Sequence, residues 1–133
     1  MKFKHDKLKS EFWLLHPKLR LILLDADLFS TANGEELNAT CFVRTEEEQK
    51  QLFNNGQAVS PYSVHSSIPC RGADFSSLKV AGLNQKLLEY INGKYIYDIK
   101  RPQLKTLLHH GGTAIHLHFQ CSSSNDLTVA NVG

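Results

Sequence analysis

Cysteine is scarce in this chain and badly spaced for cross-linking: Cys41, Cys70 and Cys121 are odd in number and no pair has CxxC spacing. That argues against a disulfide framework and a zinc ribbon, and leaves reduced thiols as the expectation. An excess of one charge is missing too. Fifteen Lys and Arg stand against thirteen acids, a formal +2, with the signs interspersed; this gives no footing for a nucleic-acid or membrane partner. No apolar run approaches the ~18 residues of a membrane span. The basic start "MKFKHDKLKSEFW" lacks the apolar stretch and small-residue cleavage site of a signal peptide. A soluble protein made in the cytoplasm is expected, with any export arranged by other means. Internal repeats and low-complexity tracts are also absent.

What remains suits one compact domain. A chain of 133 residues buries a core without covalent staples. Residues 1–133 are expected to form a single, monomeric domain, with a flexible tail over 122–133 where "SSSND" stands.

"PKLRLILLDADLF" places Leu19, Ile22, Leu23 and Ala26 on one helical face, with Pro17 suited to a first turn. "LNATCFV" reads as a core strand in which Leu37, Ala39, Cys41 and Val43 share a face. Thr45 and Glu48 have capping-box spacing, so "TEEEQKQLFNNG" is a helix ended by Gly56, with Arg44 just outside its first turn. "QAVSPYSVHSSIPCRG" is a long loop of the kind that often carries function, and "ADF" begins a strand. "LNQKLLEYI" is helical and stops at Asn92-Gly93; "KYIYDI" alternates like a strand; "RPQLKTLLHH" suggests a turn of helix; "AIHLHFQC" is a closing strand. The mixture predicts an α+β fold, a small, mainly antiparallel sheet flanked by helices.

Four of the seven histidines, His109, His110, His116 and His118, fall within ten residues. Strand alternation puts His116 and His118 on one face and Ile115, Leu117 and Phe119 on the other. Alone, His-x-His also suits a polar sheet face. A second cluster, His65 and Asp74, bounds "HSSIPCRGAD". Two imidazoles and a carboxylate make a three-donor zinc (Zn2+) site with one position open, as metal-assisted hydrolysis requires.

The order "CFVRTEEEQKQLF", "SVHSSIPCRGADF" and "GTAIHLHFQ" resembles the zinc peptidases of the D-Ala-D-Ala carboxypeptidase type. These belong to the LAS group, named for lysostaphin, the D-Ala-D-Ala metallopeptidases and the sonic hedgehog domain. The resemblance covers about residues 37–120. It rests on an Arg-Ser/Thr signature followed by Gln, a Ser-x-His loop leading to Asp, and a late His. It implies a hedgehog/DD-peptidase-like fold with His65, Asp74 and His118 as metal ligands. It implies that Arg44, with Thr45 and Gln49 in register, stabilises the oxyanion or the substrate carboxylate, and that His116 serves the chemistry. The implied substrate is a peptidoglycan stem peptide, cleaved by a carboxypeptidase or an endolysin-like endopeptidase. The implied place of action is the cell wall, reached after lysis or from a virion.

The chain departs from that pattern in places. Eight residues separate His65 from Asp74, two more than usual in the family. Cys70 stands at a usual Gly and Gly72 at a usual Ala, while Arg71 falls where many phage members carry Arg. Cys70 near the metal is an alternative to a structural thiol. No carboxylate lies in "QLKTLLHHGGTAIHLH", the nearest upstream acid being Asp98; His116, His109 or His110 must then handle protons. For His109 and His110 the plain alternative is a polar helix end, and for Arg44 a pairing with Glu46 or Glu48. Trp13, Phe42 and Tyr97 read as core or rim aromatics, His5 and His16 as surface residues. Competing functions are a catalytically silent zinc module and a cupin-like barrel, which lacks the Glu and later His it needs here.

Overall fold

The structure, a computed structural model, describes residues 1–58, 60, 63–66, 69–110, 115–124 and 129, with the backbone alone at His110. The elements are β1 (Lys2–Phe3), α1 (Asp6–Glu11), α2 (Pro17–Ala32), β2 (Asn38–Cys41), α3 (Glu46–Asn54), β3 (Gly72–Ser76), α4 (Leu83–Lys94), β4 (Leu107–His110) and β5 (His116–Gln120). Short 3-10 turns span Phe12–Leu14 and Val64–Ser66. The fold is α+β. Five strands in the order β1-β2-β3-β5-β4 form an open sheet, not a barrel; β1 runs parallel to β2 and the other pairings are antiparallel.

Helix α2 begins where Pro17 fits, because a first-turn residue needs no N–H partner. It runs past Phe29 to Ala32 and buries Leu19, Ile22, Leu23 and Ala26 as the spacing predicts. His16 caps it, Nδ1 accepting from the Lys18 N–H at 3.2 Å; His16 is therefore buried, not a surface residue. The capping box of α3 is present: Thr45 Oγ1 accepts from the Glu48 N–H at 3.1 Å, and the Thr45 N–H donates to Glu48 Oε1 at 3.2 Å. Helix α4 continues through Asn92-Gly93 to Lys94.

Two expectations fail between α4 and β5. "KYIYDI" forms no strand; Tyr95 makes a single bridge to Val129. Asp98 folds the segment back, accepting from the Lys100 N–H at 2.9 Å and from Arg101 Nε at 2.9 Å. The expected helical turn ending in His109 and His110 is instead strand β4. Asn92 extends the ladder where a neighbouring strand is lacking: its amide donates to the Leu107 carbonyl at 2.8 Å and accepts from the Leu107 N–H at 2.9 Å. Tertiary pairing here overrides local propensity. Of the expected tail, Ser122 is buried and accepts from Lys18 Nζ at 2.8 Å, Val129 pairs as above, and 125–128 and 130–133 lie outside the described residues.

The core lies between one sheet face and the helices α2 and α4. Leu37, Ala39, Phe42, Phe75, Leu117 and Phe119 meet Leu19, Leu23, Leu87 and Ile91, all fully buried; Ile115, expected on the Leu117 face, is exposed. The two helices are tied by a stack of Phe29 on Tyr90, ring centroids 4.2 Å apart, and by Asp25. Its carboxylate accepts from Lys94 Nζ at 2.7 Å, from the Tyr90 hydroxyl at 2.8 Å and from the Tyr95 hydroxyl. Burial alone would raise the Asp25 pKa, but these donors outweigh it and hold the carboxyl below its ordinary 3.8. A depressed carboxyl pKa stabilises the fold above the unfolded value and ceases to as pH falls through the folded one. Asp25→Asn is therefore expected to unfold at lower urea than the native chain near neutral pH. The gap should narrow as pH drops below 3.8, and a gap constant into acid would contradict this role.

Candidate metal centre

Strand β3 lies between β2 and β5, so Asp74 has neighbours from both: Cys41 is its partner on β2 and His118 on β5. Directly opposed residues share a sheet face. Phe75 and Ala73 enter the core, which leaves Asp74, His118 and, by alternation, His116 on the face away from α2 and α4. Leu108 and His110 stand opposite His118 and His116 on β4. The Val64–Ser66 turn closes over this face.

Arg44, His65, His116 and His118 all reach Asp74. Oδ1 lies 2.8 Å from His118 Nδ1, 3.3 Å from His65 Nε2 and 3.6 Å from His116 Nε2. Oδ2 lies 3.9 Å from Arg44 Nη2. Arg44 also donates to Gln49 Oε1 and, at 3.5 Å, to Cys41 Sγ. Gln49 in turn donates to the Ser60 carbonyl at 2.8 Å. Arg44 is thus held by the site; of its two plain alternative partners, Glu46 and Glu48, the latter is engaged in the capping box. Side-chain exposure grades outward from 3% at His65 through 11% at His118 and 12% at Asp74 to 37% at His116. His116 is at the mouth, where a group acting on substrate must stand.

The hydrogen bonds around the imidazoles show which nitrogen of each faces Asp74. A carbonyl only accepts, so His65 Nδ1 donates to the Phe42 carbonyl at 2.7 Å, and its lone pair is on Nε2. The Gln120 amide donates to the Lys105 carbonyl at 2.8 Å, which turns Oε1 toward His118; His118 Nε2 donates to it at 3.1 Å. A neutral His118 then has its lone pair on Nδ1. Two neutral rings in these tautomers aim lone pairs at one carboxylate oxygen, an arrangement that calls for positive charge among them. Protons on both rings would supply it, and so would one divalent cation shared by both rings and the carboxylate. Donor atoms of a tetrahedral zinc site stand roughly 3.3–3.6 Å apart, given Zn–N and Zn–O near 2.0–2.1 Å and Zn–S near 2.3 Å. About Oδ1, the His65 nitrogen at 3.3 Å meets that range and the His118 nitrogen at 2.8 Å is closer than it; the donors that lie within 4.8 Å of one another are those of Cys41, His65 and Asp74. Burial would raise the Asp74 pKa; with His118 and His65 protonated, their hydrogen bonds and charge outweigh it and hold the carboxyl far below the usual carboxylate range.

Local backbone features deliver these groups. A Cβ at Gly72 would meet Val64 Cγ2 at 2.5 Å and the His65 backbone nitrogen at 3.3 Å, so the absence of a side chain lets the His65 turn lie on β3. Cys70 is a structural thiol: fully buried, it lies 3.3 Å from the Phe42 carbonyl and 3.2 Å from that of Gly72, and burial pushes its pKa up to about 11. Arg71 donates to the Cys121 carbonyl at 3.2 Å. His109, opposite Leu117 in register, sits 2.8 Å from Ser77 Oγ, and Asp98 is engaged in its own turn. Neither joins the Asp74 cluster.

Two participants were not recognised in the sequence. Gln120 was legible in principle, since alternation puts it on the face of His116 and His118. Cys41 was not. The register shifts between Ala39, opposite Phe75, and Cys41, opposite Asp74. This β-bulge inserts one residue and reverses the alternation, so Phe42 takes the core position expected for Cys41, and Cys41 turns toward Asp74. Cys41, His65 and Asp74 each offer a donor atom within 4.8 Å of the others, a group able to hold a metal ion.

No protein-family model, curated protein or solved structure matches this chain.

If Gln120 fixes the His118 tautomer, Gln120→Leu should leave the fold intact and weaken zinc binding about 10–100-fold, as loss of a ligand-orienting hydrogen bond does. Competition against a chromophoric chelator measures this, and native affinity in the variant would remove Gln120 from the account.

Proposed function

We propose that the chain is a zinc-dependent peptidase of the D,D-carboxypeptidase or endolysin-like kind, acting on peptidoglycan stem peptides. One observation supports it most: Arg44, His65, His116 and His118, distant in sequence and chosen by motif, all converge on the two oxygens of Asp74. In this reading His65, Asp74 and His118 hold the metal. A bound zinc ion supplies Lewis-acid polarisation of a carbonyl and makes water a better nucleophile at neutral pH.

The side chains supply the rest. Arg44 presents a guanidinium, steadied by Gln49 and Asp74, to a substrate carboxylate or to the negative charge that develops on a cleaved carbonyl. The half-buried His116 at the mouth is the proton carrier at Nε2, a role suited to imidazole. It answers the lack of a carboxylate between Asp98 and His118. Such an enzyme would work at the bacterial wall, after lysis or from a virion. Among the described residues no helix is long and apolar enough to cross a membrane.

A second reading, a zinc-holding module without turnover, is favoured by the same missing carboxylate and by Cys41 beside His65 and Asp74. Purified native chain, His118→Ala and His116→Ala, analysed for zinc and assayed on fragments ending in D-Ala-D-Ala, separate the two. The peptidase reading expects about one zinc per chain, lost in His118→Ala. It expects His116→Ala to keep zinc but lose turnover about 10²–10⁴-fold, the usual weight of an acid-base group. Stoichiometric zinc with no hydrolysis by the native chain would leave the silent module.

A further inference from the structure

We propose that Cys41 is a further metal donor, its thiolate closing the site of His65, Asp74 and His118 when no substrate is present; this rests on the metal-site reading above. Three observations converge. The bulge between Ala39 and Cys41 takes Cys41 off the core face and sets it opposite Asp74. Bulges recur beside active sites because they re-aim a side chain in this way. Its Sγ then lies within 4.8 Å of donor atoms of both His65 and Asp74. Arg44 Nη2 stands 3.5 Å from that sulfur, so a cation on the same guanidinium that faces Asp74 is at hand to balance a thiolate.

The other thiols do not compete. Cys70 is enclosed by the carbonyls of Phe42, Val64, His65 and Gly72, and Cys121 is buried on the core side.

Sulfur in the donor set changes what the site selects and how it is used. Thiolate favours zinc, cobalt or cadmium over magnesium or calcium, which prefer oxygen. Cys41, His65 and Asp74 already lie within 4.8 Å of one another, and His118, 2.8 Å from Asp74, would close in to complete a tetrahedral set of two nitrogens, one oxygen and one sulfur; a four-donor site is closed. A substrate carbonyl must compete with Cys41 for its place. Arg44, whose Nη2 lies 3.5 Å from the sulfur and 3.9 Å from Asp74 Oδ2, is the partner to which a displaced thiolate turns. The resting site is self-closed and substrate opens it.

Cobalt(II) titration of metal-free native chain and Cys41→Ser tests this by absorbance, with bound cobalt counted separately. The native chain should bind cobalt with the intense near-ultraviolet band of thiolate-to-cobalt charge transfer, and Cys41→Ser should bind cobalt without it. Cobalt bound by the native chain with no such band, or a band surviving in Cys41→Ser, overturns the thiol ligand while leaving the metal site standing. No cobalt bound by the native chain overturns both. Should Cys41→Ser fail to take up metal, alkylation of the native chain decides: peptide mapping should find Cys41 protected by cobalt, and equal labelling with and without cobalt would refute ligation.

Discussion

A carboxylate buried on the central strand of a small sheet is the constraint around which this molecule is arranged. Asp74 stands between β2 and β5 with a side chain 12% exposed, and a charge so far removed from water is costly unless it is paired. Its surroundings answer that cost with three imidazoles on one oxygen and a guanidinium on the other. With His65 Nδ1 on the Phe42 carbonyl and His118 Nε2 on Gln120, the ring nitrogens that face the carboxylate carry a proton only if the rings are cationic and a lone pair if they are neutral. Neutral rings cannot satisfy Asp74 unaided, and a shared divalent cation is the proposed answer to that mismatch.

The core and the site are built by the same residues. Phe42 is fully buried among Phe3, Phe12 and Phe75, while its carbonyl orients His65. Asp74 sits between Ala73 and Phe75, both packed against the helices, so the strand cannot slide without moving its carboxylate. Asn92 and the Lys105 carbonyl hold β4 in place, and Gln120 ties that edge to His118. A donor set on strands anchored in this way is more rigid than one carried by loops. His65 is the exception, and there Gly72 and the Cys70 contacts press the turn onto the sheet.

Much of this was legible in the sequence, for reasons that differ between elements. Helices α2 and α3 announced themselves through Pro17, a 3.6-residue spacing and the Thr45/Glu48 box, all local signals. The His-x-His strand was readable because alternation alone decides which face its imidazoles take. Strand β4 was not: "LLHH" acquires its conformation from Asn92 and β5, which no window around it contains. "KYIYDI" alternates convincingly, but Asp98 captures the backbone two residues on. The resemblance gathered Arg44, His65, Asp74, His116 and His118, and these do meet. Cys41 escaped because a single inserted residue reverses a strand's faces without leaving a mark in composition.

Whether Asp74 and its imidazoles share a metal ion decides the role of this face of the sheet. Calorimetric titration of zinc into the metal-free chain, beside Asp74→Asn under the same conditions, measures this most directly. The expected result is saturable binding near one zinc per chain, with proton release if Cys41 joins as thiolate, and loss of that binding in Asp74→Asn. A native chain that takes up no zinc, or an Asp74→Asn chain that binds it as tightly, would contradict the account.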